Sequence, residues 1–230
     1  MSALLFSLKR NCDRCTFANK KRRLIYIIVV IALVFVVLFL INSKLTNAFR
    51  TSNGRTFEFF ISLISTFIGF FIALSLNTAL NEMNQKKNLI KLLTATNLSV
   101  ENSEMKVKGM YLLPSKNGTD ISEIIQFAPV EMPKLYSNLE SNSLVSDFFS
   151  SNAFQAYILC SDNMQTFVKN ANASNQSSSK KTIIMEKYLK YLGFAKQVNE
   201  LEIKRLNGEI SQTEENNQLQ TLTKKITTTN

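Results

Sequence analysis

Histidine is absent from the 230 residues of this chain. That removes the commonest general base, the usual charge switch near neutral pH and the commonest metal ligand. There is no G-x-x-x-x-G-K-[ST] loop, no G-x-S-x-G turn, no dinucleotide fingerprint and no H-E-x-x-H pair. Proline occurs only at Pro114, Pro129 and Pro133, and between residue 76 and Gly109 neither proline nor glycine interrupts the chain. No segment alternates apolar and polar residues for long enough to argue for a sheet. These absences point away from an enzyme and towards an all-α chain.

Two apolar runs dominate the first third. Residues 24–41, LIYIIVVIALVFVVLFLI, carry no ionisable side chain except the Tyr26 phenol. At about 1.5 Å per residue such a helix spans a bilayer core of about 30 Å. Residues 59–76, FFISLISTFIGFFIALSL, form a second run that includes Ser62, Ser65, Thr66, Gly69 and Ser75. Neither run contains Asp, Glu, Lys or Arg, which argues against a proton-coupled transporter. The basic stretch before residue 24 is too long for a signal peptide's n-region, and no A-x-A site follows the run, so a retained anchor is expected.

The net charge of +10 is unevenly spread. Lys9, Arg10, Arg14, Lys20, Lys21, Arg22 and Arg23 precede the first run, and Lys86, Lys87 and Lys91 follow the second, whereas residues 42–58 hold only Lys44, Arg50 and Arg55. Basic residues stay on the cytoplasmic side, so both termini are expected in the cytoplasm and the loop outside. Lys20, Lys21, Arg22, Arg23, Lys86 and Lys87 are the expected contacts to lipid headgroups. No recognition motif or stacking pattern accompanies this charge, so nucleic acid is not an expected partner.

The expected organisation is a basic segment, 1–23; a transmembrane hairpin, 24–80, with spans 24–41 and 59–76 and loop 42–58; a cytoplasmic helical domain, 81–207; and a flexible tail, 208–230. Leu89, Ile90, Leu93 and Val100 lie on one helical face, so the second span is expected to run on as one helix to about Met110. Asp120 with Glu123 suits a helix start, Pro129 a stop, and Pro133 the first turn of the next helix. Asn152 is a candidate cap for a helix with Phe154, Tyr157, Ile158, Met164, Phe167 and Val168 on its face. Residues 170–181 read as a polar loop. The last long helix is expected over 182–207, ended by Gly208.

The order of a basic N-terminus, two spans, the segment NTALNEMNQKKNLIKLL and the segment MPKLYSNLESNSLVSDFFSSNAFQAYI resembles small bacterial membrane proteins with an N-terminal transmembrane hairpin and an all-helical cytoplasmic domain. That resemblance implies an inner-membrane location and carries no functional residues.

Cys12 and Cys15 form a C-x-x-C, with Cys160 the third cysteine. A zinc site takes four ligands, so only two chains pooling thiolates could complete one. Reduced thiols in a mobile segment are the adopted reading, and no cofactor is expected. The N-x-S/T triplets at Asn97, Asn117, Asn172 and Asn175 read as chance in an Asn-rich cytoplasmic part. Glu123, Glu131 and Glu140 are expected to be solvated. Ser62, Ser65, Thr66, Gly69 and Ala73 form the one polar and small-residue stripe in a span. It suits close helix packing, within the hairpin or between copies, or a pore lining in an oligomer.

The expected function is therefore a membrane-anchored helical interaction module: a scaffold, sensor or regulatory subunit that forms homo-oligomers and engages a cytoplasmic protein partner. The alternative is an oligomeric pore or membrane-perturbing effector, as in a stress or phage-defence system.

Overall fold

The computed structural model describes Phe35, residues 54–139 and residues 141–228. Among these every regular element is helical. The first span, the C-x-x-C and the basic segment before residue 24 lie outside the described residues, as does Glu140. A two-helix hairpin is thus not part of the described structure, which contains one long apolar helix. The chain divides into two compact units, Met1–Asn84 and Gln85–Asn230.

Helix α1, Gly54–Lys106, belongs to both units. In the first unit its most apolar window has a mean hydropathy of 2.3 and no buried residue. Phe59, Phe67, Phe70 and Leu76 are exposed, and in and just before the apolar run the half-buried residues are Phe57, Ile61, Ile64, Ile68 and Phe71, at steps of three and four. The Thr66 and Thr78 hydroxyls donate to the carbonyls of Ser62 and Leu74, each at 2.9 Å. Such back-bonding leaves no donor unmet in an apolar environment. In the second unit the same helix buries Leu89, Leu93, Thr96 and Val100, one face at steps of four, three and four.

Past Lys106 the winding loosens into a π-helical turn, Val107–Leu112, which turns Val107, Tyr111 and Leu112 into the core. α2, Leu113–Lys116, has Pro114 in its first turn and ends in a turn at Gly118, φ +92°. α3, Ile121–Phe127, starts where the Asp120 carboxylate accepts from the Ser122 N–H at 2.7 Å. Pro129 stands two residues after its end at Phe127, and residues 128–133 cross as a strap. α4, Lys134–Leu139, and α5, Ser143–Phe148, are single short helices, the second capped by Asn142.

α6, Ser151–Asn172, and α7, Ser178–Asn207, are the main pair of the second unit. Ser150 caps α6 by accepting from the Ala153 N–H at 3.1 Å, so the expected cap Asn152 lies inside the helix. There its amide donates to the Asn216 side chain at 2.8 Å. The polar loop shrinks to residues 173–177, because the serines and lysines at 178–181 already wind as the first turn of α7. Gly208 ends α7 at φ +77°, where the Gly208 and Glu209 N–H groups close on the Arg205 and Lys204 carbonyls.

The tail expected to be flexible is largely helix α8, Gln212–Thr228. Ser211 and Glu214 cap it reciprocally: the Glu214 N–H donates to Ser211 Oγ at 3.2 Å, and the Ser211 N–H to Glu214 Oε2 at 2.8 Å. Leu219 is buried, and Leu222 and Ile226 pack against the core.

Tyrosines organise the interior. Tyr136 and Tyr157 stack with ring centroids 4.6 Å apart, and each hydroxyl donates to the other residue's carbonyl. Tyr191 packs on Phe167 at 5.3 Å. Burial of the full Leu93 side chain predicts that Leu93→Ala costs about 2–4 kcal/mol. Leu98→Ala, at a position 59% exposed, should stay within about 0.5 kcal/mol of the parent. Thermal or chemical unfolding followed by circular dichroism checks both.

Candidate functional site

Three places combine chemistry with defined geometry, and they are taken in chain order. The first is the stripe on α1. Ser62, Ser65, Thr66, Gly69 and Ala73 share a side of the helix and are all exposed. A Cβ built at Gly69 meets nothing within 4 Å. The half-covered side of this helix is instead the Ile/Phe series described above. The Thr66 hydroxyl spends its proton on the Ser62 carbonyl, leaving only lone pairs to present outwards. Lys86 and Lys87 are exposed on the same helix at the start of the second unit. Lys20, Lys21, Arg22 and Arg23 lie outside the described residues.

The second place is the strap. The Tyr111 hydroxyl donates to the carbonyls of Ala128 at 2.9 Å and Pro129 at 3.3 Å, and the Tyr188 hydroxyl to that of Glu131 at 2.9 Å. Asn172 clamps Val130 from both sides, accepting from its N–H at 2.9 Å and donating to its carbonyl at 2.8 Å. Between strap and α1 lies an open cavity of about 260 Å³, lined by Ser99, Asn102, Lys106, Tyr111, Glu131 and Tyr188 among others. A π-helical turn beside a cavity is a recurrent setting for function. Burial pushes both phenols up, Tyr111 with a further push from the Glu131 charge. They therefore stay protonated and act here as hydrogen-bond donors. Lys106 and Glu131 face each other at 3.9 Å, both partly in solvent, a contact of little energetic weight.

The third place was not foreseen from the sequence. Glu202 of α7 and Glu215 of α8 are both fully buried. Arg205, one turn after Glu202, forks onto its carboxylate with Nε at 3.1 Å and with Nη2, which also donates to the Phe148 carbonyl. The same Nε stands 3.4 Å from Glu215 Oε2, outside hydrogen-bond alignment. Ser150 and Glu202 flank the Glu215 carboxyl. Even so, neither of its oxygens receives a donor at hydrogen-bond geometry. Burial, and next the Glu202 carboxylate, push the Glu215 carboxyl up to about 8. One guanidinium thus serves two carboxyls, and the physical remedy is a proton held between them.

Cys160 is buried between α6 and α7, its thiol donating to the Tyr191 carbonyl at 3.3 Å. Burial pushes it up to about 12, so it is inert near neutral pH. Among the described residues no group of three or more Cys, Asp or Glu is placed to hold a metal ion. Glu123 and Glu131 are at the surface.

Sequence patterning could have found α8 from Ser211-Gln-Thr-Glu214, a capping box. It could not have found the carboxylate pair, since Glu202 and Glu215 meet only through the α7–α8 turn. The strap's clamp yields a prediction. Asn172→Ala should cost about 1–3 kcal/mol, because the buried Val130 loses partners for both its polar groups. Amide exchange should rise within residues 128–133 and stay unchanged in the middle of α7.

No family model matches this chain, and neither a curated protein nor a solved structure is similar to it.

Proposed function

We propose that the protein is a membrane-anchored helical interaction module: a two-pass anchor at the bacterial inner membrane, both termini cytoplasmic, carrying a helical domain that engages a protein partner. The observation that supports this reading best is α1. It is a single helix whose first part is apolar and uncovered and whose last part supplies core residues to a folded unit. Only lipid or another apolar surface makes the first part tolerable, since soluble proteins do not leave such an area bare. Leu98 and Met105, seven residues apart on α1, and Phe127, 89% exposed at the end of α3, leave apolar surface on the second unit for a partner.

The open stripe around Gly69 is the natural seam for a second copy, because small side chains let backbones approach where lipid gives no hydrophobic drive. Overpacking a tight contact costs about 1–3 kcal/mol. Gly69→Leu should therefore weaken crosslinked oligomers in liposomes by about one to two decades, and Ile64→Leu should do little. Intact assembly with reduced ion leak would favour the pore instead. In cells, a cysteine at position 53 should label from outside and one at position 175 should not; external labelling at 175 would overturn the topology.

A further inference from the structure

We propose that Glu215, beside Glu202, forms a protonation latch for α8: the helix is docked on α6 and α7 while the Glu215 carboxyl holds a proton directed at the Glu202 carboxylate, and it is released when that proton is lost. The geometry requires a proton. Glu202 is already satisfied by the bidentate fork of Arg205, while an ionised Glu215 would be fully buried with neither oxygen accepting a hydrogen bond and only the Arg205 Nε, already bonded to Glu202, 3.4 Å away. A protonated Glu215 changes this, because its O–H has the Glu202 carboxylate beside it as acceptor. The titratable and charged groups facing Glu215 from the elements packed against it are Glu202 and Arg205, both on α7. The α5–α6 junction adds only neutral groups, the Ser150 hydroxyl and the Phe148 carbonyl, and the latter is already bonded to Arg205.

The latch matters because the apolar seam that holds α8 is short. Its apolar contacts are Leu219, Leu222 and Ile226, and its other tie to α6 is the bond between Asn152 and Asn216. The remaining residues of QTEENNQLQTLTKKITT are polar. A buried carboxylate that accepts no hydrogen bond is comparable in weight to such a short apolar seam.

The sign of the effect follows from linkage. Released, Glu215 titrates near the ordinary glutamate value of 4.5; docked, it holds its proton up to about 8. Between those values only the docked state keeps the proton, so docking weakens as pH rises. One proton corresponds to about a tenfold fall in the docking equilibrium per pH unit across that window, with no further change above it.

The chain contains no tryptophan, so Ile226→Trp gives a single emission reporter on α8 in the full-length protein in detergent. From about pH 5 to about pH 9 its emission should shift to the red as α8 leaves the core. Glu215→Gln, which keeps the shape and a donor for Glu202, should hold the emission blue throughout. Glu202→Gln frees Arg205 for an ionised Glu215 and should also abolish the pH step. A flat profile in the reporter chain, or the same step in both glutamine variants, overturns the latch. If Glu215→Gln is released at every pH, Glu202→Gln decides alone: a flat blue profile supports the latch and a retained step refutes it.

Discussion

One helix carries two kinds of surface, an uncovered apolar one and a core-forming one, and the helices after residue 106 pack against the second. Over residues 54–80 α1 carries Phe, Ile and Leu on every side but the small-residue stripe, back-bonds the Thr66 and Thr78 hydroxyls, and holds no charge within its apolar run. After Lys86 and Lys87 the apolar face narrows to one side. Leu89, Leu93, Thr96 and Val100 then face a core, while charged residues such as Lys91 and Glu101 stay out. The period of the pattern is the same in both parts; the width of the apolar face differs.

The second unit is held by polar contacts at chosen points on an apolar frame. Tyrosine is the recurring device: Tyr111, Tyr136, Tyr157 and Tyr188 bury their rings and send their hydroxyls to backbone carbonyls, those of Tyr111 and Tyr188 to strap carbonyls that no helix satisfies. This is how the irregular strap between Pro129 and Pro133 avoids unmet polar groups. The Glu202–Arg205–Glu215 cluster is the exception, since its charges do not balance without a proton. A fully apolar contact there would hold α8 more simply. Retaining two acids and one base makes the last helix sensitive to its surroundings.

Much of the fold was legible because helices announce themselves locally. The face Leu89–Leu93–Val100, the stop at Pro129, the cap at Asp120 and the αL exit at Gly208 all rest on neighbours within a turn. The failures have local causes too. Residues 178–181 are polar, which suggested loop, but the first turn of α7 buries only Lys181 and needs no apolar stripe. The tail's low hydrophobicity hid α8, although Ser211 and Glu214 carried the capping signal. The strap cavity and the buried acid pair depend on side chains from different helices meeting in space, which no single-helix pattern encodes. Nor could the stripe Ser62–Ser65–Thr66–Gly69–Ala73 be assigned a neighbour from spacing alone.

The central claim is that α1 passes from lipid into a folded aqueous unit without a break. Spin labels placed singly along α1 in lipid bilayers, in a chain with Cys12, Cys15 and Cys160 replaced, test it by accessibility to oxygen and to a water-soluble relaxant. Labels at Phe67 and Phe70 should be open to oxygen and closed to the aqueous reagent. Labels at Leu98 and Met105 should show the reverse, and labels at Leu93 and Val100 should be closed to both. Aqueous access at Phe67 and Phe70 equal to that at Leu98 would contradict the account.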